Sequence, residues 1–394
     1  MSDPDQARQL SPGPPTAPPA ASPVAPAVAP VVEGVHYDGQ SRAVAAIALQ
    51  NALFNLLTLG VYRFWAKTRI RRYLWGSTIY RGERLEYTGR GIELFLGFLI
   101  AVAILMALVF GFELIADAAG GPLSRGAGLV QSAQSLVIFF LIFVAIFRAR
   151  RYRLSRSQWR GIRGGQSGSA VAYALTALGW ALVAVLTLGL AYPVYRTRLM
   201  KYQMENTWFG SARFAFAGRA RDLFGVWVVA WLLFFPTFGL IYVWYRVREF
   251  RYFAASSRLG PLEFSSDLRG ARVYFVFLTH LFVWAAVTFA FVAVGYVMVT
   301  SSGTLPATTA TGEPVTVAWL ELGAQNPMLV VLLLLYLVAS GLVRTVVWLQ
   351  PMAAAITTSL SIAGEMDFAR LAQSSQEMPG RGEGLAEAFD LGSI

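Results

Sequence analysis

Hydrophobic and polar positions fall in long blocks along this chain. Apolar segments cover residues 43–62, 91–115, 129–147, 170–195, 221–245, 273–299 and 327–349. Each is near or above the roughly 20 residues that a helix needs to cross a bilayer. Between them lie basic runs rich in Trp and Tyr. A short stretch with Gly at its centre often follows, such as the one around Arg81-Gly82, and predicts a β-hairpin. The pattern predicts an all-α polytopic membrane protein with short β-hairpins between its helices. A lone hairpin is marginal in water, so hairpins at one depth are expected to pair into a sheet.

The blocks repeat. Thr58, Leu59, Gly60, Arg69, Arg72, Tyr73 and Thr78 meet Thr187, Leu188, Gly189, Arg198, Lys201, Tyr202 and Thr207 at one offset. A further offset gives Thr237, Gly239, Arg248, Arg251, Tyr252 and Ser257. A shorter copy has Arg148, Arg151, Tyr152 and Ser157, and an eroded one near Met352, Ser361 and Phe368 has lost the basic residues. The unit is therefore apolar segment, basic aromatic helix and hairpin. Arg69, Arg72 and Tyr73 share one helix face. Arg beside an aromatic ring suits a membrane–water boundary, where guanidinium reaches phosphate. All twelve basic and Tyr positions of the four copies are candidate lipid contacts.

Charge complicates the topology. If 43–62, 170–195 and 221–245 all span, the run with Arg196, Arg198, Lys201, Arg213, Arg219 and Arg221 lies outside, against the positive-inside tendency. If they dip in and return, every basic unit stays inside. Gly60, Gly189 and Gly239 are candidate breaks for that path, which requires protein or water around the irregular backbone. Both readings stay open at this level. The loops 116–128 and 300–326 carry little or no positive charge and read as periplasmic.

Composition supports the membrane class. The chain has 394 residues, 56% hydrophobic and 14% charged, against about 25% charged in soluble domains. The formal net charge is +11. Its Arg residues flank apolar segments, so anionic phospholipid explains them better than nucleic acid, for which no motif is present. Cysteine is absent, which excludes disulfides and thiolate chemistry. Residues 1–36 read as a disordered Pro/Ala-rich tail, 37–364 as the repeat-built transmembrane domain and 365–394 as a cytoplasmic tail.

Charged groups inside apolar segments are the remaining candidates. Glu93 and Asp222 occupy equivalent positions, and Arg272 takes the third. The two acids suit a helix N-terminus. His280 and Arg344 lie within predicted spans, and Glu113 is a candidate partner for Arg344. Asn51, Asn55 and Gln350 suit bonds between helices. No Walker loop, zinc spacing or nucleophile elbow is found. The Gly-rich stretch 161–168 reads as a loop. No enzyme, metal or cofactor is expected.

Three stretches resemble the YjgN-like family of bacterial inner-membrane proteins. They are Thr58-Leu-Gly-Val-Tyr-Arg-Phe-Trp-Ala-Lys, Arg71-Arg-Tyr-Leu-Trp-Gly-Ser-Thr and Tyr152-Arg-Leu-Ser-Arg-Ser-Gln-Trp-Arg-Gly-Ile-Arg. The ending Gly382-Glu-Gly-Leu-Ala-Glu-Ala-Phe-Asp fits as well. The resemblance covers about residues 37–394. It implies an inner-membrane location and carries over no catalytic or binding residue. The sequence reads first as a transporter or channel for a small solute or lipid; the alternative is a non-catalytic organiser that grips anionic lipid and protein partners through its Arg/Tyr units.

Overall fold

The computed structural model describes residues 32–121, 124–301, 326–368, 371 and 384–389. Its plan is one unit used five times: a strand, two antiparallel helices and a returning strand. The first unit holds β1 (Val32–Gly34), β2 (His36–Tyr37), α1 (Ser41–Leu57), α2 (Arg63–Gly76) and β3 (Thr78–Tyr80). The second holds β4 (Glu83–Tyr87), α3 (Gly91–Ala118), α4 (Arg125–Arg156) and β5 (Ser157–Trp159). The third runs through β6 (Ile162–Gln166), α5 (Ala170–Leu186), α6 (Tyr192–Glu205) and β7 (Thr207–Phe209). The fourth has β8 (Ala212–Phe216), α7 (Ala220–Leu232), α8 (Ile241–Ala255) and β9 (Ser257–Leu259). The fifth has β10 (Leu262–Ser266), α9 (Gly270–Ser301), α10 (Pro327–Thr358) and β11 (Leu360–Ala363). A short α11 (Gly384–Ala388) follows.

The all-α expectation is wrong. Among the described residues, eleven strands form one antiparallel sheet in the order β1-β11-β10-β9-β8-β7-β6-β5-β4-β3-β2. Within each unit the entering strand pairs with the returning strand, as Tyr37 does with Thr78 and Phe216 with Ser257. Tight turns then link each unit to the next. β1 pairs with β11 while β2 pairs with β3, and the Val35 N–H donates to the Leu360 carbonyl at 3.0 Å. Residues 32–37 thereby join the two ends of the sheet into a nearly closed barrel. Closure removes the unpaired edges that an open sheet of short strands would expose.

The turns follow from local chemistry. Arg81-Gly82 and Arg160-Gly161 have positive φ at both positions, and Gly210 and Gly260 at the first position of theirs. These are the primed turns whose twist suits a two-residue hairpin. Alternate residues then point inward. Val35, Tyr80, Trp159, Leu259 and Leu262 form the barrel core with Leu85, Phe214, Phe264 and Ile362. Phe368, from the segment after β11, sits in the same core 4.9 Å from the Trp159 ring.

Four helices are long and apolar enough to cross a membrane: Gly91–Ala118, Arg125–Arg156, Gly270–Ser301 and Pro327–Thr358. The other three apolar segments double back at a repeated turn. Leu59-Gly60, Leu188-Gly189 and Phe238-Gly239 all take positive φ. Before each pair, a Thr hydroxyl donates to the carbonyl four residues back, at 2.7, 2.8 and 2.6 Å for Thr58, Thr187 and Thr237. Each hydroxyl also accepts the N–H four residues ahead. Gly60, Gly189 and Gly239 thus sit at chain reversals. The tips are apolar yet uncovered by protein: Leu59 is 95% exposed, Leu188 78% and Phe238 96%.

The helix pairs ring the barrel end, with α2 against α3, α4 against α5, α6 against α7, α8 against α9 and α10 against α1. Val32–His36 lie in or between strands of the sheet, although the sequence assigns them to the N-terminal tail. α11 packs on α3 and α4, with Ala386 against Ala145 and Ala149. Most of the predicted tails and of loop 300–326 falls outside the described residues.

Candidate functional site

The repeated residues gather in a basic belt where helices meet the barrel. Its tyrosines staple each short helix pair. Tyr73 OH accepts the Gln40 N–H at 2.7 Å and donates to the Gln40 carbonyl at 3.1 Å. Tyr202 does the same at Ser169, 33 residues back, and Tyr252 OH accepts the Arg219 N–H at 2.6 Å while its proton goes to Asp222. Gln40, Ser169 and Arg219 are the N-cap residues of α1, α5 and α7. A backbone group free at the helix start is thereby satisfied by the ring of the second helix. The hydroxyl residue after each Tyr ends its helix by bonding the carbonyl four residues back, as Thr78, Ser157, Thr207 and Ser257 do.

Several of the basic residues have partners within the chain. Arg72 donates to the Gly89 carbonyl at 2.8 Å, Arg151 to that of Gly168 and Arg251 to that of Ser266 at 3.3 Å. Each ties a helix to the strand end that leads into the next unit. Lys201 instead pairs with Glu205 at 3.7 Å. Arg69 donates to Asn51 and Gln50 of α1. Arg198 lies 5.7 Å from the Trp180 ring and Arg248 4.3 Å from that of Trp244. Arg148 is exposed. Arg72, Arg148, Arg198, Lys201, Arg248 and Arg251 all keep exposed faces.

Glu93 and Asp222 both occupy the first turn of a helix. Glu93 accepts from Tyr152 at 2.5 Å and Arg156 at 3.0 Å, and Asp222 accepts from Tyr252 at 2.6 Å. Arg272 donates to Thr358 at 3.1 Å. All three therefore lie at the belt, in the first turns of α3, α7 and α9. His280 and Arg344 belong to α9 and α10. The His280 ring lies 5.6 Å from Trp348, and its Nδ1 is buried without a partner. Arg344 is exposed and opens a π-helical stretch, Arg344–Leu349, a feature frequent at functional sites. Among the described residues no ion pair joins it to Glu113. Gln350 does link helices, accepting from Ser41 and donating to Gly39.

The sequence reading missed Glu249. Its side chain is 2% exposed and is held by Arg196 at 3.0 Å and by Arg246. A lone acid in the basic run of α8 was the available signal. Burial pushes Tyr37 at the barrel end up to about 12. At the same level, hydrogen bonding from Arg84 holds Asp38 below its ordinary carboxylate value.

Three open pockets lie on this part of the molecule. One of about 650 Å³ is lined by Glu33, Arg81, Arg160, Glu365, Met366 and Asp367. One of about 450 Å³ includes Asp38, Arg72, Tyr73 and Arg84. The third, of about 470 Å³, is lined by Arg248, Arg251, Tyr252, Ala255, Ser265 and Ser266. No metal-holding cluster occurs among the described residues. The pockets offer cations and hydroxyls at the barrel end of helix pairs whose far tips are apolar and exposed.

Comparison with known proteins agrees with this membrane architecture. Bacterial proteins of unknown function, DUF898, match residues 33–245 and, in a second overlapping match, 213–376. The chain belongs to the DUF898 family. The second match begins within β8, as expected of a chain built from repeated units. A relative in this family's range, inner membrane protein YjgN of Escherichia coli O157:H7, is 29% identical over 127 residues. That alignment covers 32% of this chain and 29% of the relative, so the chain matches less than a third of that protein's length. No solved structure matches. The YjgN-like resemblance holds, and this DUF898 protein is an integral membrane protein with four helices able to cross the bilayer.

Proposed function

We propose that this DUF898 protein is a membrane organiser of the bacterial inner membrane. Its barrel forms a cytoplasmic platform, and its three short helix pairs wedge into the inner leaflet. The location is supported by the relative's inner-membrane name and by the four long apolar helices. The observation that carries the reading is hairpin depth. Arg69, Arg198 and Arg248 each lie ten residues from an apolar tip at Leu59, Leu188 or Phe238. The helical part of that path starts at Arg63, Tyr192 or Ile241 and at 1.5 Å per residue rises about 10 Å, a third of a hydrocarbon core about 30 Å thick. Cations at headgroup depth then leave each tip inside the inner leaflet. The belt's positive charge favours the cytoplasmic side for the barrel and for the C-terminus.

Reconstitution in vesicles tests this reading. The native protein is expected to reduce vesicle diameter as its density rises. A variant with Leu59→Ser, Leu188→Ser and Phe238→Ser should insert but lose most of that effect. Unchanged vesicles at high native density would count against the wedge.

A transporter is the second reading, favoured by the π-helical stretch at Arg344 and by the unpartnered His280 Nδ1 inside α9. It requires solute or lipid movement across vesicles that Arg344→Gln or His280→Ala abolishes at equal protein levels.

A further inference from the structure

First-turn charge differs among the five units: α1 and α5 carry no acid there, α3 and α7 carry one, and α9 carries Arg272 at the matching position. In the second and fourth units the first-turn carboxylate is engaged by neighbouring side chains: Glu93 by Tyr152 and Arg156, Asp222 by Tyr252 and Arg221. The fifth unit has Arg272 there, bonded to the neutral Thr358 hydroxyl. Arg272 begins α9, which packs on α8, and α8 carries Arg248 and Arg251. Arg248 is held against the Trp244 ring and has no carboxylate partner among the described residues. Arg251 uses its Nε for the Ser266 carbonyl, and its terminal nitrogens keep their donors.

The open pocket of about 470 Å³ at this point is lined by both guanidiniums, Tyr252 and the two serines, with no acid in its wall. The comparable pocket of the first unit contains Asp38, which takes both terminal nitrogens of Arg84 at 3.1 and 2.5 Å. That pocket neutralises part of its own charge, and the one at α8 does not. Two guanidiniums side by side match phosphate oxygens in charge and in hydrogen-bond geometry. The source of the phosphate follows from depth. Arg248 lies ten residues below the 96%-exposed Phe238 tip, so the cleft opens at headgroup level beside lipid chains.

We propose that the Arg248–Arg251 cleft, with Arg272 in the first turn of the neighbouring α9, binds the phosphate of an anionic phospholipid. The assignment rests on the membrane placement given above, and it narrows the belt's general affinity to one saturable site. Native mass spectrometry of the full chain, released from micelles holding phosphatidylglycerol and phosphatidylcholine, tests it. The native chain should retain phosphatidylglycerol preferentially. Arg248→Gln with Arg251→Gln should weaken that retention at least tenfold, as should Arg272→Glu. Arg213→Gln, at an exposed position of β8 outside the belt, should leave it within twofold, and circular dichroism should show all variants folded. Equal retention by the native chain and the Arg248/Arg251 variant would overturn the site. Tight binding of inorganic phosphate with no preference for phosphatidylglycerol would overturn the lipid assignment and leave a free-anion site. Because this assay reads binding in detergent, a failed vesicle-bending experiment leaves its result intact, and the reverse also holds.

Discussion

Tyr73, Tyr202 and Tyr252 show how one residue type serves fold and surface together. The Tyr73 and Tyr202 hydroxyls each make two bonds to an N-cap backbone, and that of Tyr252 accepts an N-cap N–H and donates to Asp222. Replacing any of them with Phe is expected to cost about 1 kcal/mol, seen as a lower thermal midpoint in detergent. Equal stability of all three variants would contradict the staple. Gly89 is a second case, because a Cβ there would lie 2.6 Å from the Tyr87 ring. Gly89→Ala must displace that ring and should cost about 1–3 kcal/mol by the same measurement. The Tyr37–Gly39 pair repeats this contact, which accounts for the echo of Tyr-Asp-Gly in Tyr-Thr-Gly. Asp38 carries a pH dependence. Arg84 depresses its folded-state value, so the pair's contribution is present above the unfolded carboxylate value and disappears as pH falls through the lower folded one. Carboxyl NMR should show Asp38 titrating below the ordinary Asp value, and Arg84→Gln should restore it. The recurrence of Arg and Tyr was legible in the sequence. Their internal bonds were not, because a Tyr at headgroup depth and a Tyr holding an N-cap leave the same spacing.

The short helix pair is defined by its turn. Thr58, Thr187 and Thr237 satisfy backbone on both sides of the reversal, and the following Gly takes positive φ. Gly60→Ala, Gly189→Ala and Gly239→Ala are each expected to destabilise by about 1 kcal/mol, since an L side chain is disfavoured at positive φ. A fluorophore on a cysteine at Leu188 should be quenched more by lipids brominated partway along the acyl chains than by headgroup-proximal bromines. Strongest quenching by headgroup-proximal bromines would rule out the inserted hairpin. The sequence contained this turn as Thr-Leu-Gly and Thr-Phe-Gly, but hydropathy ran through it. A 17-residue helix plus the apolar start of its return has the length of one span, which is why seven apolar segments resolve into four long helices and three reversals.

At the scale of the whole molecule, the repeat was legible and the fold class was not. Strands of three to five residues look like isolated hairpins in a sequence. Their stability comes from partners far along the chain, such as Tyr87 opposite Ser157 and Ser266 opposite Leu360, and from closure of β11 on β1. No local pattern records those pairings. The eroded fifth copy was the hardest to read, because it lost its Arg and Tyr but kept the strand that closes the ring and the Phe368 that fills it. The central claim is that one barrel on one face gathers all five units, with only the second and fifth helix pairs crossing. The absence of cysteine allows a direct test. Single cysteines would be placed at Glu83, at the start of β4, at Ser211, in the turn before β8, and at Ala119, between the two long helices of the second unit. Whole cells would then be treated with a membrane-impermeant thiol reagent. The account predicts that Glu83→Cys and Ser211→Cys stay protected until lysis while Ala119→Cys labels at once. If Ser211→Cys labels with Ala119→Cys, the third helix pair crosses the membrane and the single barrel cannot exist.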